Sequence, residues 1–283
     1  MTPEARDAAA RMLEAWAVKP TEERHWSREV SERVAFLQQV LRKAGRCRLV
    51  LGVSGGVDSL VAGKLCQLAV DGMKEEAPDA EFIAVRLPYG AQLDEDDAQA
   101  ALAFIAPDRV WTVNIRPSVD ALHTAVVGGR QDINHAKADF ERGNVKARIR
   151  MTVQYEIAAL HDGLVVGTDH NAEAITGFYT KWGDGACDLL PLRGLNKRQV
   201  RLLAEELGAS HELAYKPATA DLEDLRPLRS DEEALGIPYQ AIDDFLERRP
   251  IDDAYLESLV RQYVGTEHKR VDPPAAQGNE TCD

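Results

Sequence analysis

Between residues 54 and 59 the chain runs Ser-Gly-Gly-Val-Asp-Ser, two hydroxyls and a carboxylate set around a pair of glycines. A segment of this type can grip phosphate. Gly55 and Gly56 leave the backbone open where phosphate oxygens approach. Ser54 and Ser59 bring hydroxyl donors, and Asp58 can hold a divalent cation against the same oxygens. Leu49, Val50, Leu51 and Val53 form the short apolar run of a buried parallel strand just ahead. Val57, Val61, Leu65 and Leu68 then recur at helical spacing, so the turn opens a helix whose free amides and positive dipole end attract an anion. No Gly-Lys-Ser/Thr follows, which excludes a Walker A loop. The plain alternative is a glycine turn that only packs a helix onto a sheet.

A second polar stretch runs Gly167-Thr168-Asp169-His170-Asn171-Ala172-Glu173 and continues through Lys181 to Gly183-Asp184-Gly185. Glycines on both sides of Asp184, with Lys181 close by, predict a flexible loop of mixed charge suited to phosphates, metal and a leaving pyrophosphate. A bare Asp-Gly turn beside a solvated lysine is the alternative. No second histidine stands at ligand spacing from His170, so it reads as a hydrogen-bonded structural residue.

These segments need elements to position them. Residues 1–30 read as a helix and connector anchored by Trp16 and Trp26, and residues 31–45 as an amphipathic helix ended by Gly45. Strands are expected at Phe82–Leu87, Val110–Ile115 and Leu164–Gly167, besides the one before the glycine turn. Helices fall between them: one capped by Asp94, one opened by Pro117, and a long one over 140–161. Asn196 and Gln199 form a capping box for a helix over 197–207. This alternation predicts a single α/β domain over 31–270, an open, mostly parallel sheet with helices on both faces. Its ligand belongs beyond the carboxyl ends of the strands. The stretch 54–59, residues 86–90 and residues 168–173 should therefore gather on one rim. Residues 271–283 read as a disordered tail.

The 283 residues suffice for a sizeable core, and 45% hydrophobic beside 29% charged residues is ordinary for a soluble enzyme. A net charge of −13 argues against a nucleic-acid or membrane-surface binder, although local Lys and Arg can still hold a nucleotide. Cys47, Cys66, Cys187 and Cys282 show no metal or redox spacing. With no signal peptide and no long apolar span, a reducing, cytoplasmic setting is expected.

Ser-Gly-Gly-x-Asp-Ser resembles the signature of the ATP-pyrophosphatase (PP-loop) families, whose Rossmann-like, adenine nucleotide α-hydrolase-like fold leaves the α-phosphate of ATP open to attack. The wider set resembles the ammonia-dependent NAD synthetases. It comprises Arg-Leu-Pro-Tyr-Gly-Ala-Gln (86–92), Asp-Ala-Gln (97–99), Gly-Asn-Val-Lys-Ala-Arg-Ile-Arg-Met (143–151) and Gly-Thr-Asp-His-Asn-Ala-Glu (167–173). Thr-Gly-Phe-Tyr-Thr-Lys-Trp-Gly-Asp-Gly (176–185), Leu-Asn-Lys-Arg-Gln (195–199), Pro-Ala-Thr-Ala-Asp-Leu (217–222) and His-Lys-Arg (268–270) complete it.

The resemblance implies ATP-dependent amidation of deamido-NAD to NAD with ammonia, through an NAD-adenylate, releasing AMP and pyrophosphate. It implies that Ser54, Gly55, Gly56, Val57 and Ser59 cradle the pyrophosphate of ATP, with Arg86 on the adenine side and Thr168, Lys197 and Thr219 in further contact. Asp58 and Glu173 would hold Mg²⁺; Phe140, Asn144, Arg148, Lys181, Asp188, His268 and Lys269 would meet deamido-NAD. It further implies a homodimer sharing the dinucleotide site. Asp184 is the candidate that binds ammonium and accepts its proton, beside Asp58 and Lys197 as catalytic groups. Lys146, Arg148 and Arg150 alternate on a helix and cannot all face one ligand, so only one or two are expected to reach it; a solvated basic stripe is the plain alternative. The glutamine-dependent relatives carry a nitrilase-like domain for which residues 1–30 are too short, so free ammonia, or ammonia delivered by another protein, is the expected nitrogen source. Rival readings are another PP-loop enzyme, such as a GMP synthetase or a tRNA-modifying ligase, and an ATP-binding regulatory module without turnover. Sulfur transfer would want cysteines at the loop, and a nucleic-acid substrate a basic surface.

Overall fold

Four short apolar segments build the centre of the molecule. The computed structural model describes residues 3–90, 95–130, 134–217 and 230–275. Strands β1 (Arg48–Gly52), β2 (Glu81–Arg86), β3 (Arg109–Thr112) and β4 (Gly163–Val165) form one all-parallel sheet in the order β3-β2-β1-β4. Register is set by Arg48 opposite Glu81 and Gly163, and by Ile83 opposite Arg109. β1 and β2 alternate strictly: Leu49, Leu51, Phe82 and Ala84 enter one core, Val50, Ile83 and Val85 the other. Both faces are thus apolar, as a sheet covered on two sides requires. A side chain of this size contributes roughly 1.5–3 kcal/mol when fully buried.

The helices, in chain order, are α1 (Pro3–Trp16), α2 (Trp26–Ala44), α3 (Val57–Asp71), α4 (Glu95–Ile105), α5 (Arg116–Val127), α6 (His135–Leu160), α7 (Asn171–Thr176), α8 (Lys197–Glu206), α9 (His211–Ala214), α10 (Asp231–Leu235), α11 (Tyr239–Leu246) and α12 (Asp253–Gly265). Residues of α2, α3, α4 and α8 share the first core with one face of the sheet. The core on the other face draws on α5 and α6. A third core joins α1, α7, α11 and α12, with Trp16 packed against it. The N-terminal helix is therefore packed into the body of the molecule. Its end is tied down by Asn171, whose side chain donates to Trp16 O and accepts from Gly194 N, both at 2.8 Å.

The expected helix ends at Gly45 and Asn196 hold. Gly45 ends α2 in the left-handed region (φ 62°), and Asn196 and Gln199 complete both bonds of the capping box on α8. The third strand is shorter than expected. It stops at Thr112 on the sheet edge, and Ile115 instead caps α5. The sequence reading also missed a parallel bridge from Val166 to Leu189, which brings segment 187–190 alongside β4. The proposed Asp94 cap and residues 276–283 of the expected tail lie outside the described residues.

Candidate active site

The glycine turn sits where β1 ends and α3 begins, and its own side chains organise it. Ser54 N donates to Ser59 Oγ at 3.3 Å, Gly56 N to Ser54 Oγ at 3.2 Å, and Ser59 Oγ to Gly56 O at 3.0 Å. The two glycines divide the work. Gly55 has φ 93°, and a Cβ there would lie 3.0 Å from Ala98 N of α4, so it serves the turn and the packing of α4. Gly56, the N-cap of α3, faces the open space where an anion would meet the helix. The sequence reading gave both glycines to phosphate; the structure adds a packing reason for the first. Behind the turn, Gln154 of α6 accepts from Gly52 N at 2.6 Å and ties the long helix to the end of β1.

The turn borders a cleft of about 740 Å³ lined by Ser54, Gly56, Val57, Asp58, Ser59, Arg86, Phe140, Asn144, Thr168, Glu173, Asp184, Lys197 and Lys269, among others. Most of the sequence-predicted residues are thereby brought to one place. Gly55 lies beneath it, and Thr219 is outside the described residues. Arg86 is fully buried, with Nη1 on Val53 O at 2.8 Å and Nη2 on Glu95 at 2.7 Å, so it joins the turn to α4.

At the floor of the cleft, Lys197 Nζ lies 2.6 Å from Asp58 Oδ2 and is only 1% exposed. This side of the site is interior, not the exposed rim that the sequence suggested. Burial alone would push the Asp58 carboxyl up, but the Lys197 ammonium and His170 beside it hold it well below the usual carboxylate range. Glu173 shows the opposite behaviour. Burial and the Asp58 charge push it well up. Among the described residues, Asp58, His170 and Glu173 form a group whose donor atoms lie within 4.8 Å of one another. His170 is fully buried; its Nδ1 accepts from Glu173 N at 3.5 Å and caps α7. Asp58 Oδ1 and His170 Nε2 are buried without a hydrogen-bond partner. Two converging carboxylates, one with an orphaned oxygen, fit a hard cation such as Mg²⁺, which takes one or two carboxylates beside phosphate oxygens.

The sequence reading missed a further acid and its support. Asp231, 7% exposed at the start of α10, lines the cleft and accepts from Tyr239 OH at 3.2 Å, while the Tyr239 ring lies 5.1 Å from Lys197 Nζ. Burial pushes its carboxyl up as well. No spacing in the sequence ties residue 231 to residue 58; only the packing of α10 and α11 does so.

The glycines of the loop carrying Asp184 sit in close packing, where the sequence reading expected them to supply flexibility. A Cβ on Gly183 would meet Thr180 at 2.9 Å and Ala147 at 3.1 Å, and one on Gly185 would meet the Tyr179 ring at 2.4 Å. Gly183 thus permits close packing on α6, and Gly185 on the Tyr179 ring of the same loop. Thr180 Oγ1 donates to Asn144 Oδ1 at 2.8 Å, and Thr180 N donates to Asp184 Oδ1 at 2.9 Å. Asp184 opens onto the cleft, whose depth pushes its carboxyl up against that amide bond. Asp169, 6% exposed, is raised to about 7 by burial and by the nearby Asp184 charge.

Other expected dinucleotide contacts lie away from the cleft floor. Lys269 Nζ donates to Gly177 O at 2.8 Å and Tyr179 O at 2.6 Å, and Tyr179 OH returns a 2.7 Å bond to Lys269 O. Lys181 Nζ reaches His268 O, and Arg148 donates to Lys181 O at 3.3 Å. The short 3-10 turn Glu267–Lys269 is thus clasped to the loop 177–181. Phe140 is 55% exposed, and Asp188 accepts from Val165 N at 2.7 Å beside β4. Of the alternating cations on α6, Lys146 is buried against the Tyr89 ring at 4.3 Å and Arg150 donates to Leu87 O at 3.2 Å. The alternative of a solvated stripe therefore does not hold for Lys146 or Arg150.

Residues 29–273 match the family described as NAD synthase. The chain is 57% identical over 249 residues to the NH(3)-dependent NAD(+) synthetase of Shewanella oneidensis, covering 86% of this chain and 90% of that protein. Among solved structures, NAD+ synthetase from Burkholderia pseudomallei superposes with a TM-score of 0.80 at 46% identity, covering 96% of this chain and 99% of that one. NMN synthetase from Francisella tularensis follows with a TM-score of 0.77 at 29% identity, covering 91% and 100%. With the family match spanning most of the chain and these identities, the chain belongs to the NAD synthase family.

Proposed function

We infer that the protein is a ligase that amidates deamido-NAD to NAD, using ATP and ammonia and releasing AMP and pyrophosphate. The observation that carries this reading is the buried Asp58–Lys197 pair at the mouth of the glycine turn, with Glu173 converging on it. It sets a cation and two carboxylates where the outer phosphates of a nucleotide would rest against the N-terminus of α3. The nicotinate carboxylate of deamido-NAD then attacks the α-phosphorus in line, and pyrophosphate leaves. Ammonia attacks the resulting acyl-adenylate and displaces AMP. No covalent bond to the protein is required. The site works by positioning polyanions and neutralising them.

Ser54, Gly56, Val57 and Ser59 supply amides and hydroxyls to the pyrophosphate, and Gly55 sets the turn that presents them. Arg86, Thr168 and Thr219 complete the ATP side. Asp58 and Glu173 would hold Mg²⁺, which when bound neutralises the phosphates and aids departure of pyrophosphate. A cation held there would also favour the ionised form of Glu173, whose carboxyl is pushed up by burial and by the Asp58 charge. Lys197, in the first turn of α8, adds its charge to the dipole end of that helix. Asp184 binds ammonium and takes its proton, a role supported by its raised carboxyl and its opening on the cleft. Phe140, Asn144, Arg148, Lys181, Asp188, His268 and Lys269 receive deamido-NAD. Arg148, Lys181, Asp188 and His268 do not line the cleft, which supports a homodimer whose second copy helps close the dinucleotide site. No helix among the described residues is long and apolar enough to cross a membrane, and a cytoplasmic setting is proposed.

Incubation with ATP, Mg²⁺, deamido-NAD and excess ammonium should yield NAD and AMP in equal amounts. No NAD, or ADP and phosphate as products, would overturn the assignment. The likeness to an NMN synthetase favours one other substrate, the corresponding mononucleotide. Offering both substrates at equal concentration decides between them, and the dinucleotide should be amidated faster.

A further inference from the structure

His170 is the one member of the carboxylate group whose role neither the reaction nor the phosphate turn defines. Its ring is fully buried at the N-terminus of α7. One ring nitrogen is committed: Nδ1 accepts the hydrogen of Glu173 N, so it carries no proton. A neutral imidazole has a single N–H, which must then be on Nε2. That atom lies 3.4 Å from Asp58 Oδ1 and 3.7 Å from Glu173 Oε2. Nε2 and Oδ1 are also the two buried atoms of this group that lack a partner. A protonated nitrogen cannot ligate a metal. It can donate.

We propose that His170 is a positioning residue, neutral with its proton on Nε2, that orients the Asp58 carboxylate for the cation and is not itself a ligand. The proposal rests on the reading of Asp58 and Glu173 as the metal-holding pair. Asp58 Oδ2 is already fixed by Lys197 at 2.6 Å. A second donor aimed at Oδ1 from 3.4 Å would steady the carboxylate about both oxygens, and each oxygen would keep one lone pair for a cation. The backbone bond to Nδ1 sets the tautomer, so the helix cap and the metal site are joined through a single ring.

Two substitutions separate these halves. In His170→Asn the side-chain oxygen takes the place of Nδ1 and keeps the cap, but nothing reaches Asp58. In His170→Gln the amide nitrogen reaches the Nε2 position while the cap is weakened. Mn²⁺ affinity, followed by electron paramagnetic resonance with ATP and no dinucleotide, should fall about ten-fold or more in the Asn protein and less in the Gln protein. The unfolding midpoint should move the other way, lower for Gln than for Asn. In ¹⁵N-histidine-labelled wild type, the His170 signal should show a protonated Nε2 before and after Mg²⁺ is added, and bound Mn²⁺ should show no nitrogen hyperfine coupling. Loss of the Nε2 proton on adding metal, or nitrogen coupling to Mn²⁺, would make His170 a ligand and overturn the proposal. Wild-type Mn²⁺ affinity in the Asn protein would overturn it too. These readouts need no turnover, so they stand apart from the NAD-forming assay that tests the reaction itself.

Discussion

The phosphate end and the dinucleotide end of the cleft are built on different terms. At the phosphate end, Lys197, His170 and Asp231 are buried and bonded to one another or to Asp58, Glu173 and Tyr239. At the dinucleotide end, Phe140 is exposed, and Lys181 and Lys269 are bonded to backbone carbonyls of the same chain. The first region is preorganised by the core that surrounds it. The second is held by backbone carbonyls, and under the proposed function its cations would exchange those partners for substrate. Chemistry that depends on charge placement within a fraction of an ångström sits where packing enforces it. Recognition of a long ligand sits where surfaces can adjust.

Substitutions that strike the two ends should therefore differ in kind. The largest effect is expected for Asp58→Asn: turnover should fall about 10³-fold, and stability by about 3 kcal/mol because Lys197 is left buried without its counter-charge. Adding Lys197→Met should restore much of the stability in urea unfolding and none of the pyrophosphate release. Simple addition of the two stability losses would break the contrast drawn above. Asp184→Asn should lower ammonia-dependent NAD formation about 10²-fold while ATP–pyrophosphate exchange continues. An unchanged rate with ammonia would remove its proposed role.

A pH test probes the buried acids directly. Asp169 is held near 7 in the fold, above its ordinary value of 3.8, so the folded chain binds the extra proton between those limits and loses stability as pH rises through them. Asp169→Asn should remove that loss. Unliganded wild type should weaken by about 2–3 kcal/mol more than the variant between pH 5 and pH 8, as read from paired denaturant curves. Parallel curves would mean that the carboxyl is not raised.

At the other end, Arg148→Ala and Lys181→Ala should raise KM for the dinucleotide about ten-fold and change kcat little, the pattern of uniform binding. If a partner copy shares the site, the rise should grow as the enzyme is diluted. The smallest effect belongs to neither end. Asn171→Ala removes the two bonds to Trp16 and Gly194 and should cost about 1–2 kcal/mol with activity kept, a check that stability and turnover separate away from the cleft.

Much of this was legible without coordinates where information is local. Strand alternation, the capping box of Asn196 and Gln199, and the glycine turn before α3 depend on neighbours a few residues apart. The errors came where one residue type permits two physical roles. Glycine allows both flexibility and close approach, and at 183 and 185 the Thr180 and Tyr179 side chains decide for close approach. Lys146 could face water or a ring, and Tyr89 decides for the ring. The bridge from Val166 to Leu189 joins single residues, too few to leave a periodic pattern.

By itself the sequence determined the parallel α/β class, the phosphate-gripping turn and the family, because each is written in short, ordered motifs. Only the tertiary structure decided that Asp58 faces Lys197, that Asp231 and Tyr239 stand beside them, and which nitrogen of His170 is free to donate. These pairs span from a few residues to more than a hundred, and their charges are fixed by burial. Burial belongs to the folded chain as a whole and is carried by no single segment.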